Sequence, residues 1–141
     1  MRYKHLKRPS KDTYAHYYYL RGSICPILFL SFKVISIRKK VQAAIGDGGD
    51  IALGRAMRVH ANFAEYVPLT LFLIYLLESQ QVSSLFIHAL YISLFVGRIL
   101  HAYGVSKVKE NLRFRVFGMM TNFSVIFITA LYLLTISLGF V

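Results

Sequence analysis

The chain has 141 residues, of which 56% are hydrophobic and only 16% charged, with a formal net charge of +11 and a mean hydropathy of +0.51. A soluble domain of this length is less apolar and more heavily charged. The apolar residues also fall in blocks, which makes this a small polytopic membrane protein. The basic residues gather beside those blocks, as membrane anchoring requires, and match no RNA- or DNA-binding module, so nucleic acid is excluded as a partner.

The first thirteen residues, MRYKHLKRPSKDT, are strongly basic and stand apart from a four-span domain over 14–141. The first span covers about Tyr14–Ser36. The run Ile24–Ile37 is short of the ~20 residues a bilayer core needs, so the YYYL before it must contribute. Arg21 snorkels toward one membrane face. Cys25 is the single cysteine and lies in an apolar stretch, so neither a disulfide nor a thiolate cluster can form within the chain. Nor do the histidines show the H-x-x-x-H spacing of a helical zinc site, and no metal is expected.

Next comes GDGGD, Gly46–Asp50. It lacks the Gly-Lys-Ser/Thr ending of a phosphate loop and reads as a turn, with Asp50 as N-cap of the following helix. That helix carries RAMRVHANFAEY and leads into the second span, about Val59–Leu77. At 100° per residue, Arg55, Arg58, Asn62 and Glu65 fall within roughly 80° of one another. Ionisable residues in a span are costly, by about 2.5–3.5 kcal/mol each on insertion scales, and face a partner or a wet cavity. A polar stripe between apolar flanks therefore marks a site. Pro68 kinks the span and frees a carbonyl near Glu65.

The loop ESQQV has no Lys or Arg and leads into the third span, about Val82–Val105. His88 is a packing residue there, and Tyr75, Tyr91 and Tyr132 are packing or interfacial residues. At the end of that span GRILHAYG places Arg98 and His101 three residues apart on one face. Arg98 alone would read equally well as a snorkelling anchor; His101 beside Tyr103 is a polar combination that packing does not require. Arg113 and Arg115 then precede the fourth span, about Val116–Val141, and each taken singly could serve only to set topology.

The Lys/Arg bias puts loops one and three in the cytoplasm and both termini outside. The basic N-terminal stretch runs against this. Either the first span does not cross fully or that stretch does not belong to the native folded protein. Arg55, Arg58, Arg98, Arg113, Arg115 and the Arg38-Lys39-Lys40 run all end near one interface, where Glu65 alone cannot neutralise them. A concave site there suits an anionic ligand with one or two carboxylates read by bidentate arginines. Glu65 is suited to take an ammonium or to hold an arginine.

The series Arg55-x-x-Arg58-x-x-x-Asn62-x-x-Glu65-Tyr66-x-Pro68 resembles the signature of the MAPEG family, the membrane-associated proteins in eicosanoid and glutathione metabolism. Leukotriene-forming synthases and small bacterial members are the most similar. The resemblance covers roughly 24–141 and includes Gly97-Arg98-x-x-His101 and the arginines of loop three. It implies an all-α four-helix bundle that forms a homotrimer in a bacterial inner membrane, with glutathione in a cytoplasm-facing cleft between subunits. Arg58, Asn62, Glu65 and Tyr66 match glutathione contacts. Arg38 and His60 match further contact positions, and Arg55, Arg98 and His101 complete the candidate set. The arginine that stabilises the thiolate is Arg113 or Arg115; Arg115, nearer the level of Asn62, is the preferred one. Val105 stands where relatives carry a contact tyrosine.

The implied chemistry is a membrane-bound glutathione transferase or peroxidase acting on a lipophilic electrophile or lipid hydroperoxide. Two other functions fit four spans. One is a non-enzymatic lipid-binding scaffold of the same family. The other is a small multidrug transporter, which would carry its glutamate in the first span rather than the second.

Overall fold

The computed structural model describes residues 15–107 and 112–140. They form four helices: α1 (Ala15–Val41), α2 (Ile51–Glu78), α3 (Ser84–Ser106) and α4 (Leu112–Ser137). Each is long and apolar enough to cross a membrane, so the protein is an all-α integral membrane protein. The basic segment 1–13 and Tyr14 lie outside the described residues.

The helices overrun the apolar blocks at the end that carries the α1–α2 and α3–α4 connections. α1 continues five residues past Ser36 to Val41, with Arg38, Lys39 and Lys40 in its last turn. α2 starts at Ile51, eight residues ahead of Val59, so Arg55 and Arg58 stand on regular helix. α4 starts at Leu112, so Arg113 and Arg115 belong to its first turn rather than to a loop, and at its other end it stops at Ser137. Hydropathy marks where lipid begins. Backbone hydrogen bonding continues into the interface for as long as no residue breaks it.

Both inner helices bury one face at 3.6-residue spacing. On α2 it is Leu53, Ala56, Val59, Phe63, Val67, Leu71, Ile74 and Leu77. On α3 it is Ile87, Leu90, Tyr91 and Leu94, and the same face turns polar at Arg98 and His101. α2 runs unbroken through Pro68. The outer helices α1 and α4 expose many large apolar residues, among them Phe29, Phe32, Phe117, Phe127 and Leu131, as lipid or another subunit allows.

α3 and α4 cross on glycines. A Cβ on Gly118 would lie 2.5 Å from the Gly97 carbonyl and 2.6 Å from the His101 nitrogen, and one on Gly104 would lie 2.7 Å from the Arg115 nitrogen. Small residues permit this approach of backbones in a membrane. The contact puts His101 level with Gly118 and Arg115 level with Gly104. Between α1 and α2, Gly46, Gly48 and Gly49 take φ of 68°, 58° and 78° and fold the connection tightly. The Asp50 carboxylate then caps α2 by accepting from the Leu53 N–H at 2.7 Å.

At the opposite end of the bundle Glu78 is buried. Its Oε1 accepts the Ala15 N–H at 3.0 Å, and its Oε2 accepts the His16 N–H and the Tyr91 hydroxyl, each at 3.2 Å. His88 accepts or donates a 3.1 Å hydrogen bond with the Tyr19 hydroxyl on α1, consistent with a packing role.

Candidate functional site

At the basic end a cleft of about 550 Å³ opens between α2, α3 and α4. Its walls carry Arg55, Arg58 and Asn62 from α2, His101 and Val105 from α3, and Arg115 and Met119 from α4; Asp47, Ile51 and Gly54 form the mouth. The α2 stripe and the polar end of the α3 face thus meet across one space.

Depth within the cleft follows from the contacts. In the upper layer the Arg55 guanidinium donates to the Val105 carbonyl at 3.0 Å, and Arg115 packs on Gly104. One turn deeper stand Arg58 and His101, the latter pressed on Gly118. The floor is Asn62, Arg98 and Met119. Arg98 is 3% exposed and donates from Nη1 to the Asn62 carbonyl at 3.2 Å and from Nη2 to the Met119 sulfur at 3.3 Å. Its guanidinium carbon lies 5.6 Å from the centroid of the Tyr66 ring.

Arg98 is thus a buried cation partnered by a carbonyl, a thioether and an aromatic face. A thioether is a weak acceptor. No carboxylate among the described residues forms an ion pair with Arg98, and its Nε has no hydrogen-bond partner. A buried charge without a counterion is costly, so the floor favours an anion arriving from the cleft. On α4, Asn122 is fully buried, and neither of its amide atoms bonds a described residue.

Five residues named from the sequence line the cleft: Arg55, Arg58, Asn62, His101 and Arg115. Arg98 forms its floor from beneath. The others lie off it in this chain. Arg38 is held by the Ala43 and Ala44 carbonyls and the Met57 sulfur. His60 lies 200° round α2 from Arg58 and bonds Ser31 of α1 at 2.9 Å. Glu65 is exposed below the floor, Tyr66 packs against Arg98 and Phe123, and Arg113 is exposed outside the lining. Sequence reasoning missed Asp47 and Met119. The signal for Asp47 was its position in a glycine-rich turn immediately before the arginine stripe. Among the described residues no group of three or more His, Cys, Asp or Glu side chains could hold a metal ion.

The sequence pattern of the MAPEG family matches residues 17–135. The inner membrane protein YecN of Escherichia coli (strain K12) is 35% identical over 78 residues, 55% of this chain, and the match spans 60% of YecN's own length. YecN of Escherichia coli O6:H1 matches to the same extent. No solved structure matches the chain.

Proposed function

The chain belongs to the MAPEG family, and from that premise and the cleft we propose that it binds glutathione and activates it as a thiolate for attack on a lipophilic electrophile. The observation that carries the reading is the convergence of Arg55, Arg58, Arg115, Asn62 and His101 on one cleft. Arginine stays charged in a partly dry site and pairs with carboxylates in two-point contacts. Glutathione offers two carboxylates and a thiol with a pKa near 8.5, mostly protonated at neutral pH. A guanidinium beside the sulfur favours the anion and holds the nucleophile.

Arg115, on the wall of the cleft, is the residue proposed to stabilise the thiolate, and Arg113 stands outside. The sulfur attacks an electrophilic carbon, a C–S bond forms, and the leaving group departs with its electron pair. With a lipid hydroperoxide the sulfur attacks oxygen, the O–O bond breaks to give an alcohol, and a second glutathione reduces the oxidised sulfur.

The proposed assembly is a homotrimer in a bacterial inner membrane, with the cleft facing the cytoplasm. Glu65 supports it: an exposed carboxylate midway along a membrane helix requires a partner, which a neighbouring subunit provides. The test is calorimetry of the protein in detergent with millimolar glutathione. Heat that saturates is expected, and its absence overturns the reading.

A further inference from the structure

We infer that Asp47, in the turn between α1 and α2, holds the ammonium group of the ligand and makes the cleft selective for an amino-acid head over a plain carboxylate. The inference rests on the glutathione reading above and concerns a residue that the arginine stripe does not include.

Among the described residues, Asp47 is the one acidic side chain in the lining of a cleft that also carries Arg55, Arg58 and Arg115. The bland role for an aspartate in a glycine-rich turn is to bond its own backbone, and its Oδ1 does so, accepting the Gly49 N–H at 3.0 Å. That bond uses one oxygen and fixes the carboxylate. Oδ2 takes no hydrogen bond from any described residue and lies over Gly54, where a Cβ would be 3.0 Å from it. The missing side chain at Gly54 thus leaves room for the carboxylate to lie along the first turns of α2 at the cleft mouth. Capping is not its task, since Asp50 performs that.

The chemistry of an amino-acid head supplies the second argument. It presents a carboxylate and an ammonium on one carbon, and so needs an acid beside a guanidinium. Asp47 with Arg55 and Arg58 on the adjoining turns of α2 is such a pair. A purely anionic ligand gains nothing from Asp47 and is repelled by it, so the residue sharpens selection more than it raises affinity.

Scale agrees. From Gly54, beneath Asp47, to Asn62 at the floor is eight residues of helix, about 12 Å at 1.5 Å per residue. Extended glutathione, whose γ-linked glutamate adds two methylenes to the about 10–11 Å of an ordinary tripeptide, spans about 12–13 Å. A ligand with its amino end at Asp47 therefore has its middle residue level with Arg58 and His101, near Arg115.

The experiment compares glutathione with its deamino analogue, glutaryl-cysteinyl-glycine, which keeps both carboxylates and the thiol. Calorimetry is run on the full chain and on the Asp47→Asn and Asp47→Glu variants. The parent is expected to prefer glutathione by about tenfold, or about 1.4 kcal/mol. Asp47→Asn should bind the two alike, and Asp47→Glu should keep part of the preference. Because each protein is judged by a ratio between two ligands, a general loss of folding does not mimic the result. If the parent binds both equally, or Asp47→Asn keeps the full preference, the inference is overturned while the glutathione reading stands. If the parent binds neither, both fall.

Discussion

Replacing Arg115 by alanine separates thiolate stabilisation from simple binding. A thiol of pKa about 8.5 is roughly 3% ionised at pH 7, and lowering that pKa by one unit raises the fraction to roughly 24%. A guanidinium about 4 Å from the sulfur interacts with it by about 4 kcal/mol at an effective dielectric of 20. The Arg115 side chain is exposed to solvent on one side, so a single unit, about 1.4 kcal/mol, is the share expected to survive screening. Arg115→Ala should then raise the thiol pKa of bound glutathione by about one unit. The rate with an aryl halide electrophile at pH 7 should fall about eightfold, and the rate profile should move to higher pH. Affinity at pH 7 should change by less than about twofold, because most bound ligand is thiol in either protein. The assay is titration of thiolate ultraviolet absorbance in the bound state, run beside turnover and calorimetry. A shift caused by Arg113→Ala and not by Arg115→Ala reverses the assignment. No shift from either, with no turnover in the parent, favours the lipid-binding scaffold.

Arg58→Ala and Asn62→Ala should each weaken glutathione binding by about 1–3 kcal/mol, measured by the same calorimetry, since each removes a hydrogen bond to a charged ligand. Native mass spectrometry from detergent should show a trimer; a monomer that still bound glutathione would contradict the cleft between subunits that the family resemblance implies. Gly118→Ala forces a Cβ to within 2.5 Å of the Gly97 carbonyl and should destabilise the α3–α4 crossing by about 1–3 kcal/mol, seen as a lower Tm. Gly22→Ala, where nothing lies within 4 Å, is the control and should leave Tm unchanged or slightly higher.

Helical periodicity made the α2 stripe legible, because residues three and four apart must share a face whatever packs against it. For the same reason the Asp50 cap could be read locally. Periodicity does not say how far along a face a cleft extends. Glu65 shares the angle of Arg58 but lies seven residues, about 10 Å, deeper, beyond the floor made by Arg98 and Asn62. His60 was placed by its position in a motif, yet two residues of helix turn it toward α1. Asp47 reads as ordinary turn chemistry because its reach over Gly54 depends on three positive φ angles that the sequence permits but does not impose. Asn122 sits in an apolar helix and Glu78 beside a loop. Their surroundings come from helices distant in the chain, which no local pattern reports.

The buried Glu78 has a consequence for biogenesis. The backbone donors it satisfies, on Ala15 and His16, precede it by 63 and 62 residues. The leading end of the first helix therefore finds these acceptors only after the whole of the second helix has been synthesised. The same carboxylate takes the Tyr91 hydroxyl of the third helix, so its set of partners is complete only when the second pair of helices is in place. The last two helices, locked at Gly97 and Gly118, make a second unit that needs nothing from the first to close. The chain on this geometry is built as two successive hairpins, and the cleft comes into being only when they dock, with Arg98 of the second reaching the Asn62 carbonyl of the first.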